Sequence, residues 1–255
     1  MINNSDVIME PELYDIFNAH EHEDIGMYLS LFQQAEAVLE LGVGTGRISI
    51  PLAEKGISIF GVDCSEEMLS CLKGKLEMLS SDVSSRINLI HQDFCRLDIE
   101  NMFDFAFYPF CTFNYLLTVD EQVAALSSLK KHLTKGAQVV FDLMTIHTFP
   151  NLLYNAHHTQ ANTVTQGDYD ISIATQSVFN QATQLFSQDR CFEYIKKNDV
   201  VFKKRVKMLN RIFFLGEFSL LLEKCGYEIN KIYGGYNFSQ YNSSSHSLVV
   251  IAMPK

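Results

Sequence analysis

One acidic residue and three glycines stand at a spacing that suits ligand binding. Glu40 lies near the end of an apolar run that is typical of a buried strand, and Gly42, Gly44 and Gly46 follow it with single residues between them. A glycine-rich turn between a strand and a helix brings backbone N–H groups close to a ligand. A carboxylate at position 40 would repel a diphosphate and would suit a cationic ligand. The glycine spacing also differs from the dinucleotide fingerprint, which has two residues between its last two glycines.

Two further carboxylates follow the next two predicted strands. Asp63 comes directly after the run 57–62, and Asp93 follows the run 87–91. Ligands of open α/β sheets bind beyond the carboxyl ends of the strands, so these side chains are expected at one edge of a sheet. A carboxylate in the position of Asp63 can accept hydrogen bonds from both hydroxyls of a ribose. The pattern therefore indicates a ligand that contains a nucleoside.

This order of motifs resembles the class I S-adenosylmethionine (SAM)-dependent methyltransferases, whose first motif is an acid followed by Gly-x-Gly-x-Gly. The resemblance implies that Asp63 binds the ribose of SAM, that Asp93 receives the adenine amino group, and that the Phe94 N–H is directed at the adenine ring. Met68 would pack on the adenine, and S-adenosylhomocysteine (SAH) would be the product. The expected SAM-binding residues are Glu40, Gly42, Gly44, Gly46, Asp63, Cys64, Met68, Asp93, Phe94 and Tyr108.

The order of predicted strands and helices around these residues indicates an α/β fold. The resemblance implies a seven-stranded, mostly parallel, doubly wound Rossmann-like sheet whose last strand is antiparallel. Three β-rich runs over 170–179, 185–196 and 200–214 predict an added antiparallel sheet, whereas 148–162 reads as irregular. The expected divisions are a helical lid over 1–35, a SAM-binding core over 36–147, an inserted sheet that caps the substrate over 148–214, and a C-terminal helix and strands over 215–255.

The composition limits the classes of partner and compartment. The chain has 255 residues, with 30 acidic against 20 basic residues and a formal net charge of −10. This balance disfavours nucleic-acid binding, which needs clustered cations, and no apolar run approaches the ~20 residues of a membrane span. The first residues lack the features of a signal peptide, and the six scattered cysteines form no Cys-x-x-Cys pair. We therefore expect a cytoplasmic protein with no metal site and no membrane partner.

Motifs define the acceptor side of the site less well. The stretch 109–116 resembles the Pro-Phe-x-Ser-Phe-x-His-Leu pattern of a bacterial small-molecule branch of the family, with Tyr115 where that pattern has histidine. We expect Tyr14, Tyr115 and His147 as catalytic residues. The expected substrate-binding residues are Tyr28, Phe110, Arg211 and Tyr236, with His20 and His22 as further candidates if their loop folds over the site.

Methyl transfer from SAM is an in-line displacement, so the enzyme chiefly aligns two reactants and excludes water. A general base is needed only for an acceptor that must lose a proton at or before attack. The sequence therefore predicts methyl transfer to a nitrogen or oxygen atom of a small-molecule acceptor, in a protein whose added sheet could support a homodimer. Two alternatives stay open: a non-methyl or intramolecular displacement on SAM, and a SAM-binding regulatory protein without turnover.

Overall fold

The computed structural model describes residues 9–146, 157–197 and 199–255, with the backbone alone at 157–161. The α-helices are α1 (Pro11–Phe17), α2 (Glu23–Leu31), α3 (Ser49–Glu54), α4 (Glu66–Leu76), α5 (Ser81–Ser84), α6 (Val119–Lys130) and α7 (Leu215–Lys224). The strands are β1 (Ala37–Leu41), β2 (Ser58–Asp63), β3 (Ile87–His91), β4 (Phe103–Tyr108), β5 (Leu133–Leu143), β6 (His157–Gln166), β7 (Tyr169–Asn180), β8 (Leu185–Lys196), β9 (Asp199–Arg211), β10 (Tyr227–Tyr233) and β11 (Leu248–Pro254). Across these described ranges, no helix combines the length and the apolar composition that crossing a membrane requires.

Seven strands form the main sheet in the order β10-β11-β5-β4-β1-β2-β3. Strands β1 to β5 are paired in parallel, whereas β11 runs antiparallel to both β5 and β10. Parallel strands joined by helices are buried on both faces, which explains why every residue of β1 except Glu40 is apolar. The predicted mostly parallel sheet with an antiparallel last strand is confirmed.

Helices cover both faces of the main sheet. On one face, Leu126 of α6 and Phe218 of α7 are buried in a cluster with residues of the central strands. On the other face, Met27 of α2, Leu52 of α3 and Leu72 of α4 are buried in a second cluster. Apolar burial on both sides fixes the sheet and leaves the loops at its carboxyl edge free to build a site.

A second sheet, termed the cap sheet, contains four antiparallel strands in the order β6-β7-β8-β9. The prediction of irregular structure is wrong for 157–162, because these residues begin β6. Strand β6 pairs only with β7 and is an edge strand. An edge strand can be polar, so its sequence lacks the apolar pattern that marks the other strands. Residues 148–156 lie outside the described part of the chain.

Helix α1 packs against the cap sheet through a small apolar cluster. Its buried members are Met9, Leu13, Ile16, Ile171, Ile173, Phe192 and Met208. The cluster brings the N-terminal helix and three of the added strands to one place. Both elements can therefore border the same side of a cavity.

Polar side chains cap two of the helices that flank the site. Ser65 caps α4 by accepting from the Met68 N–H at 3.2 Å, and Thr118 and Glu121 form a capping box at α6. A glycine does not mark the end of α6. Helix α6 ends at Lys130, and Gly136, with φ of +86°, lies within β5, at a point where the pairing with β4 shifts in register.

Candidate active site

The loop between β1 and α3 has a backbone that favours glycine. Gly42, Gly44 and Gly46 have φ values of +81°, +54° and +85°. A Cβ atom at Gly42 would lie 2.4 Å from Cγ2 of Thr112, whereas a Cβ atom at Gly44 would have no other heavy atom within 4 Å. Gly42 is therefore required by packing. Gly44 faces open space, where a ligand can approach the backbone.

Asp63, the last residue of β2, is held by the glycine loop. Its Oδ2 atom accepts from the Gly44 N–H at 2.8 Å, and its Oδ1 atom accepts from the Ser65 N–H at 2.9 Å. Burial raises the pKa of the Asp63 carboxyl, and hydrogen bonds from these backbone groups oppose that rise. Each carboxylate oxygen retains a further lone pair. The arrangement can therefore accept two more hydrogen bonds, as a ribose would donate.

Asp93 and Phe94 follow β3 at the same edge of the sheet. The Asp93 carboxylate accepts from the Cys95 N–H at 2.8 Å and caps the short 3-10 turn Phe94–Arg96. The Phe94 ring packs edge-on against Tyr108, with the ring centroids 5.6 Å apart. The Asp93 carboxylate is thus fixed in direction by the backbone that follows it.

Glu40 lies in the wall of the same cavity, although only 1% of its surface is exposed. The hydroxyl of Ser49, at the start of α3, donates to its carboxylate. Burial raises the pKa of Glu40 to about 8, against the lowering effects of the Ser49 hydrogen bond and the charge of Arg47. A cationic ligand beside Glu40 would favour the ionised carboxylate.

Helices α1 and α2 are tied to the glycine loop by polar contacts. Arg47, directly after the last glycine, donates to both carboxylate oxygens of Asp24 at 2.8 and 2.6 Å. Thr45 donates to the Asp15 carboxylate of α1 at 2.6 Å, and Lys75 pairs with the same carboxylate at 2.6 Å. Both members of the Arg47–Asp24 pair are buried, so this contact is little weakened by solvent. The two N-terminal helices are therefore held against the loop.

Asp142, next to the end of β5, organises the segment that follows β4. Its Oδ2 atom accepts from the Phe110 N–H at 3.0 Å and from the Tyr236 hydroxyl at 3.1 Å, and its backbone oxygen accepts from the Cys111 N–H at 3.0 Å. Phe110 and Cys111 have φ values of +46° and +62°, which non-glycine residues rarely adopt. Burial raises the pKa of Asp142 to about 7. Backbone strain held by such contacts is typical of functional segments.

Three tyrosines line the cavity beside this segment: Tyr14, Tyr115 and Tyr236. Burial raises the pKa of each hydroxyl, so all three stay protonated near neutral pH. The positive charge of Arg47 opposes this rise in the pKa of Tyr14, and the charge of Arg190 opposes it at Tyr115. These hydroxyls can orient a polar ligand as donors and acceptors without acting as bases.

The cavity has a volume of about 1510 Å³, which exceeds the range of about 300–1,000 Å³ that is common for ligand pockets. Its first wall is the carboxyl edge of the main sheet at β1, β2 and β3. Its second wall is the inner face of the cap sheet together with the acceptor-side residues Tyr14, Phe110, Tyr115 and Tyr236. The cap-sheet residues in the second wall are Asn162, Thr175, Ser177, Gln188, Arg190, Met208, Leu209 and Asn210. The cavity therefore has room for a nucleoside-containing ligand and a second molecule.

Comparisons with known proteins add the family to this geometry. Residues 38–136 match the family described as "Methyltransferase domain". YqeM of Bacillus subtilis (strain 168), whose name gives a methyltransferase and no substrate, is 25% identical over 83% of this chain and 81% of its own length. The chain is a SAM-dependent methyltransferase. Its cofactor is SAM.

Two solved structures share the fold of this methyltransferase. The CcbJ methyltransferase from Streptomyces caelestis has a TM-score of 0.78 and 23% identity, over 94% of this chain and 95% of CcbJ. The sugar N-methyltransferase KedS8 from Streptoalloteichus sp ATCC 53650 has a TM-score of 0.75 and 14% identity, over 98% of this chain and 94% of KedS8. Because these alignments span nearly the whole chain, the shared fold includes the N-terminal helices and the cap sheet.

The structure brings most residues of the predicted methyltransferase site to one cavity. The predicted SAM-site residues that line it are Glu40, Gly42, Gly44, Asp63, Cys64, Met68, Asp93 and Phe94. On the acceptor side, Tyr14, Tyr115, Tyr236 and Phe110 also line it. Gly46 instead packs under α4, where a Cβ atom would lie 2.4 Å from Leu72.

Three other predicted residues of the methyltransferase lie away from the cavity wall. Tyr28 is fully buried and stacks on Phe32 at 6.0 Å, so it supports α2 rather than facing a substrate. Tyr108 is fully buried in the aromatic core beneath Phe94. Arg211 is paired with Glu217 at 2.6 Å. Direct ligand contacts by these side chains are not expected in this arrangement.

The predicted histidines give no support to the acceptor site. His147 lies outside the described residues, and His20 and His22 are exposed in the loop between α1 and α2. Three charged residues in or beside the site were not predicted from the sequence: Arg47, Asp142 and Arg190. For Arg47 the signal was its position directly after the third glycine; for the other two it was a charged residue inside a β-rich run.

Proposed function

We propose that this methyltransferase transfers the methyl group of SAM to an amine nitrogen of a small polar molecule. The observation that carries the proposal is the charge pattern around the acceptor side of the cavity. The hydroxyls of Tyr14, Tyr115 and Tyr236 stay protonated on this side of the cavity, and the Tyr236 hydroxyl donates to the buried Asp142 carboxylate at 3.1 Å. Methylation of an amine gives a cationic product, which carboxylates stabilise.

The residues of the first wall fit SAM and are proposed to hold it. Asp63 would accept from the ribose hydroxyls, since both of its oxygens are already oriented by backbone N–H groups. Asp93 would accept from the adenine amino group, with Phe94 and Met68 against the ring. The Glu40 carboxylate would stabilise the ammonium group of the methionine moiety, and Gly44, which has no side chain, leaves room for that group.

The chemistry of the step asks little of the second wall beyond alignment. SAM supplies an electrophilic methyl group; its transfer to the nitrogen lone pair breaks the sulfur–carbon bond and leaves neutral SAH. A neutral amine can attack without a base and lose its proton to solvent afterwards. Tyr14 and Tyr115 are proposed to position the amine by hydrogen bonds, and binding of both reactants between the two walls would displace water from the reacting atoms.

The shared fold supports the small-molecule acceptor. KedS8, which shares this fold over nearly all of the chain, is described as a sugar N-methyltransferase. A sugar is polar and compact, and its amine and hydroxyl groups match the polar side chains of the second wall. The likeness supports the class of acceptor and assigns none of the residues.

Product analysis tests the proposal. The purified protein would be incubated with SAM and a panel of amino sugars, and matched sugars with a hydroxyl in place of the amine serve as controls. Mass spectrometry should show SAH together with an N-methylated amino sugar. The Asp63→Ala variant should abolish both products, because it removes the expected ribose ligand.

Three other outcomes would count against the proposal. Methylation of the hydroxyl analogues alone would make the enzyme an O-methyltransferase. Formation of methylthioadenosine would indicate a non-methyl displacement on SAM. SAM binding without any SAH, over the whole panel and with Asp63 intact, would favour a regulatory role.

A further inference from the structure

The inner face of the cap sheet is defined by the alternation of strand β8. Phe186, Gln188, Arg190 and Phe192 are buried, whereas the residues between them are more exposed. Side chains of alternate residues point to the same face of a strand. Arg190 therefore lies on the face that borders the cavity, although a charged residue is unusual on the buried face of a sheet.

Arg190 is part of a polar band that runs across the middle of this face. Residue pairing places Thr175 of β7 beside Arg190, and Ser177 beside Gln188. Asn210 of β9 pairs with Phe186. The buried polar residues of the band, all in the cavity wall, are Thr175, Ser177, Gln188, Arg190 and Asn210. Apolar residues lie on either side of the band, so the band is a distinct polar surface within an apolar face.

The charge of Arg190 is not neutralised within the described part of the chain. Only 7% of its surface is exposed, and no ion pair among the described residues includes it. Its Nη2 atom donates to Oε1 of Gln188 at 3.0 Å, and its guanidinium lies 3.7 Å from the centroid of the Phe17 ring. Its Nε–H has no acceptor among those residues. Burial lowers the pKa of Arg190 to about 10.

Two other arginines with little exposure show what is missing at Arg190. Arg47 is paired with Asp24 at 2.6 Å, and Arg211 is paired with Glu217 at 2.6 Å. A buried charge without a counter-charge is strongly unfavourable. The Arg190 side chain lines a cavity large enough for a ligand, so the ligand can supply the counter-charge.

We propose that Arg190 binds an oxyanion group, a carboxylate or a phosphate, carried by the methyl acceptor. The planar guanidinium can donate hydrogen bonds to two oxygens of such a group. The proposal rests on the proposed function, because it takes the acceptor to occupy the second wall of the cavity. It narrows the acceptor from a polar amine to an amine that also carries an anionic group.

The test measures binding, so that it does not depend on turnover. The protein saturated with SAH would be titrated with three amino sugars. Glucosamine carries no oxyanion, glucosamine 6-phosphate carries a phosphate, and muramic acid carries a carboxylate. Inorganic phosphate and acetate would be titrated in parallel. Wild type should bind one of the two anionic sugars at least tenfold more tightly than glucosamine. The preferred anion identifies the source.

Variants assign the effect to Arg190. Arg190→Gln should reduce the preference to within twofold, whereas Arg205→Gln, which removes an exposed arginine of β9, should leave it unchanged. Arg190→Met keeps the apolar stem over Phe17 and serves as a second neutral variant if the glutamine variant fails to fold. Unchanged SAH affinity shows that each variant is folded.

Several results would overturn the proposal. The first is that wild type shows no preference for the anionic sugars, phosphate or acetate. The second is that both Arg190 variants keep the preference of wild type. The third is that Arg205→Gln loses as much of this preference as the Arg190 variants do. Failure of methyl transfer to every amine, with Arg190-dependent anion binding intact, would contradict the proposed function and leave the oxyanion site standing.

Discussion

The two walls of the cavity are built in different ways. The wall at the carboxyl edge of the main sheet consists of short motifs at the ends of strands, such as Asp63 as the last residue of β2 and Asp93 two residues after β3. The cap-sheet wall consists of single residues from separate strands. Thr175, Arg190 and Asn210 lie in one wall only because the antiparallel register brings β7, β8 and β9 together.

The two walls also differ in their charge. The first wall offers carboxylates and backbone N–H groups, which suit a cationic nucleoside ligand such as SAM. The second wall offers hydroxyls, amides and Arg190, which forms no ion pair with any residue that the structure describes. This difference implies that the protein recognises the methyl donor and the acceptor separately. Changes to the first wall should alter the affinity of the protein for SAM, whichever acceptor is used. Changes to the second wall should alter which acceptor is chosen.

The largest effect is expected from Asp63→Ala. The substitution removes two proposed charge-assisted hydrogen bonds to the ribose, each worth about 1.5–3 kcal/mol. SAM affinity should fall several hundredfold or more in calorimetry, while the protein stays folded. The exposed Asp82→Ala is a matched control, since it removes a carboxylate far from the cavity wall. SAM affinity within twofold of wild type would contradict the assignment of the first wall.

Gly42→Ala should have the next largest effect, and Gly44→Ala is its matched control. Both substitutions place an L-residue at positive φ, which costs about 1–2 kcal/mol. Only at Gly42 would the added Cβ meet Thr112, at 2.4 Å, and overpacking costs about 1–3 kcal/mol more. Denaturant unfolding should show a loss of stability larger by that margin for Gly42→Ala. Equal losses would mean that Thr112 moves aside without cost.

The sequence was sufficient to predict the first wall, because its chemistry follows the chain order. Glu40, Asp63 and Asp93 each stand beside an apolar run, and periodicity alone locates the strand ends. The parallel order of strands then brings the three together. The antiparallel last strand was predicted from the family resemblance, and that prediction is confirmed.

The second wall could not be predicted in this way. The alternation in β8 was visible, but which face is buried depends on what packs against it, and that is set by α1 and by the register with β7 and β9. Arg211 and Arg190 stand in neighbouring strands with similar surroundings in sequence. Only the fold shows that Arg211 is neutralised by Glu217 whereas Arg190 faces the cavity.

The pH dependence of stability tests the raised pKa of Glu40 in the first wall. The folded pKa is about 8, against about 4.3 in the unfolded chain. Between these values the folded state holds the proton that the unfolded state has lost, so stability falls as pH rises, by up to about 1.4 kcal/mol per pH unit. Glu40→Gln removes this contribution. Its stability relative to wild type should therefore rise from pH 5 to pH 8, and a constant difference would contradict the raised pKa.

The smallest effect is expected from Tyr236→Phe, which tests whether the acceptor side can change without the donor side. The substitution removes the hydroxyl that donates to Asp142 at 3.1 Å and leaves the ring in place. Asp142 also holds the strained Phe110 backbone, so the loss should loosen the acceptor segment and not the glycine loop. One hydrogen bond is worth about 1 kcal/mol, so the KM for the acceptor should rise about fivefold, with SAH affinity unchanged in calorimetry. Tyr169→Phe, at an exposed tyrosine of the cap sheet, should change neither quantity. If Tyr236→Phe weakened SAH and acceptor binding equally, the two walls would be coupled through Asp142, and the separation of donor and acceptor recognition would fail at this residue.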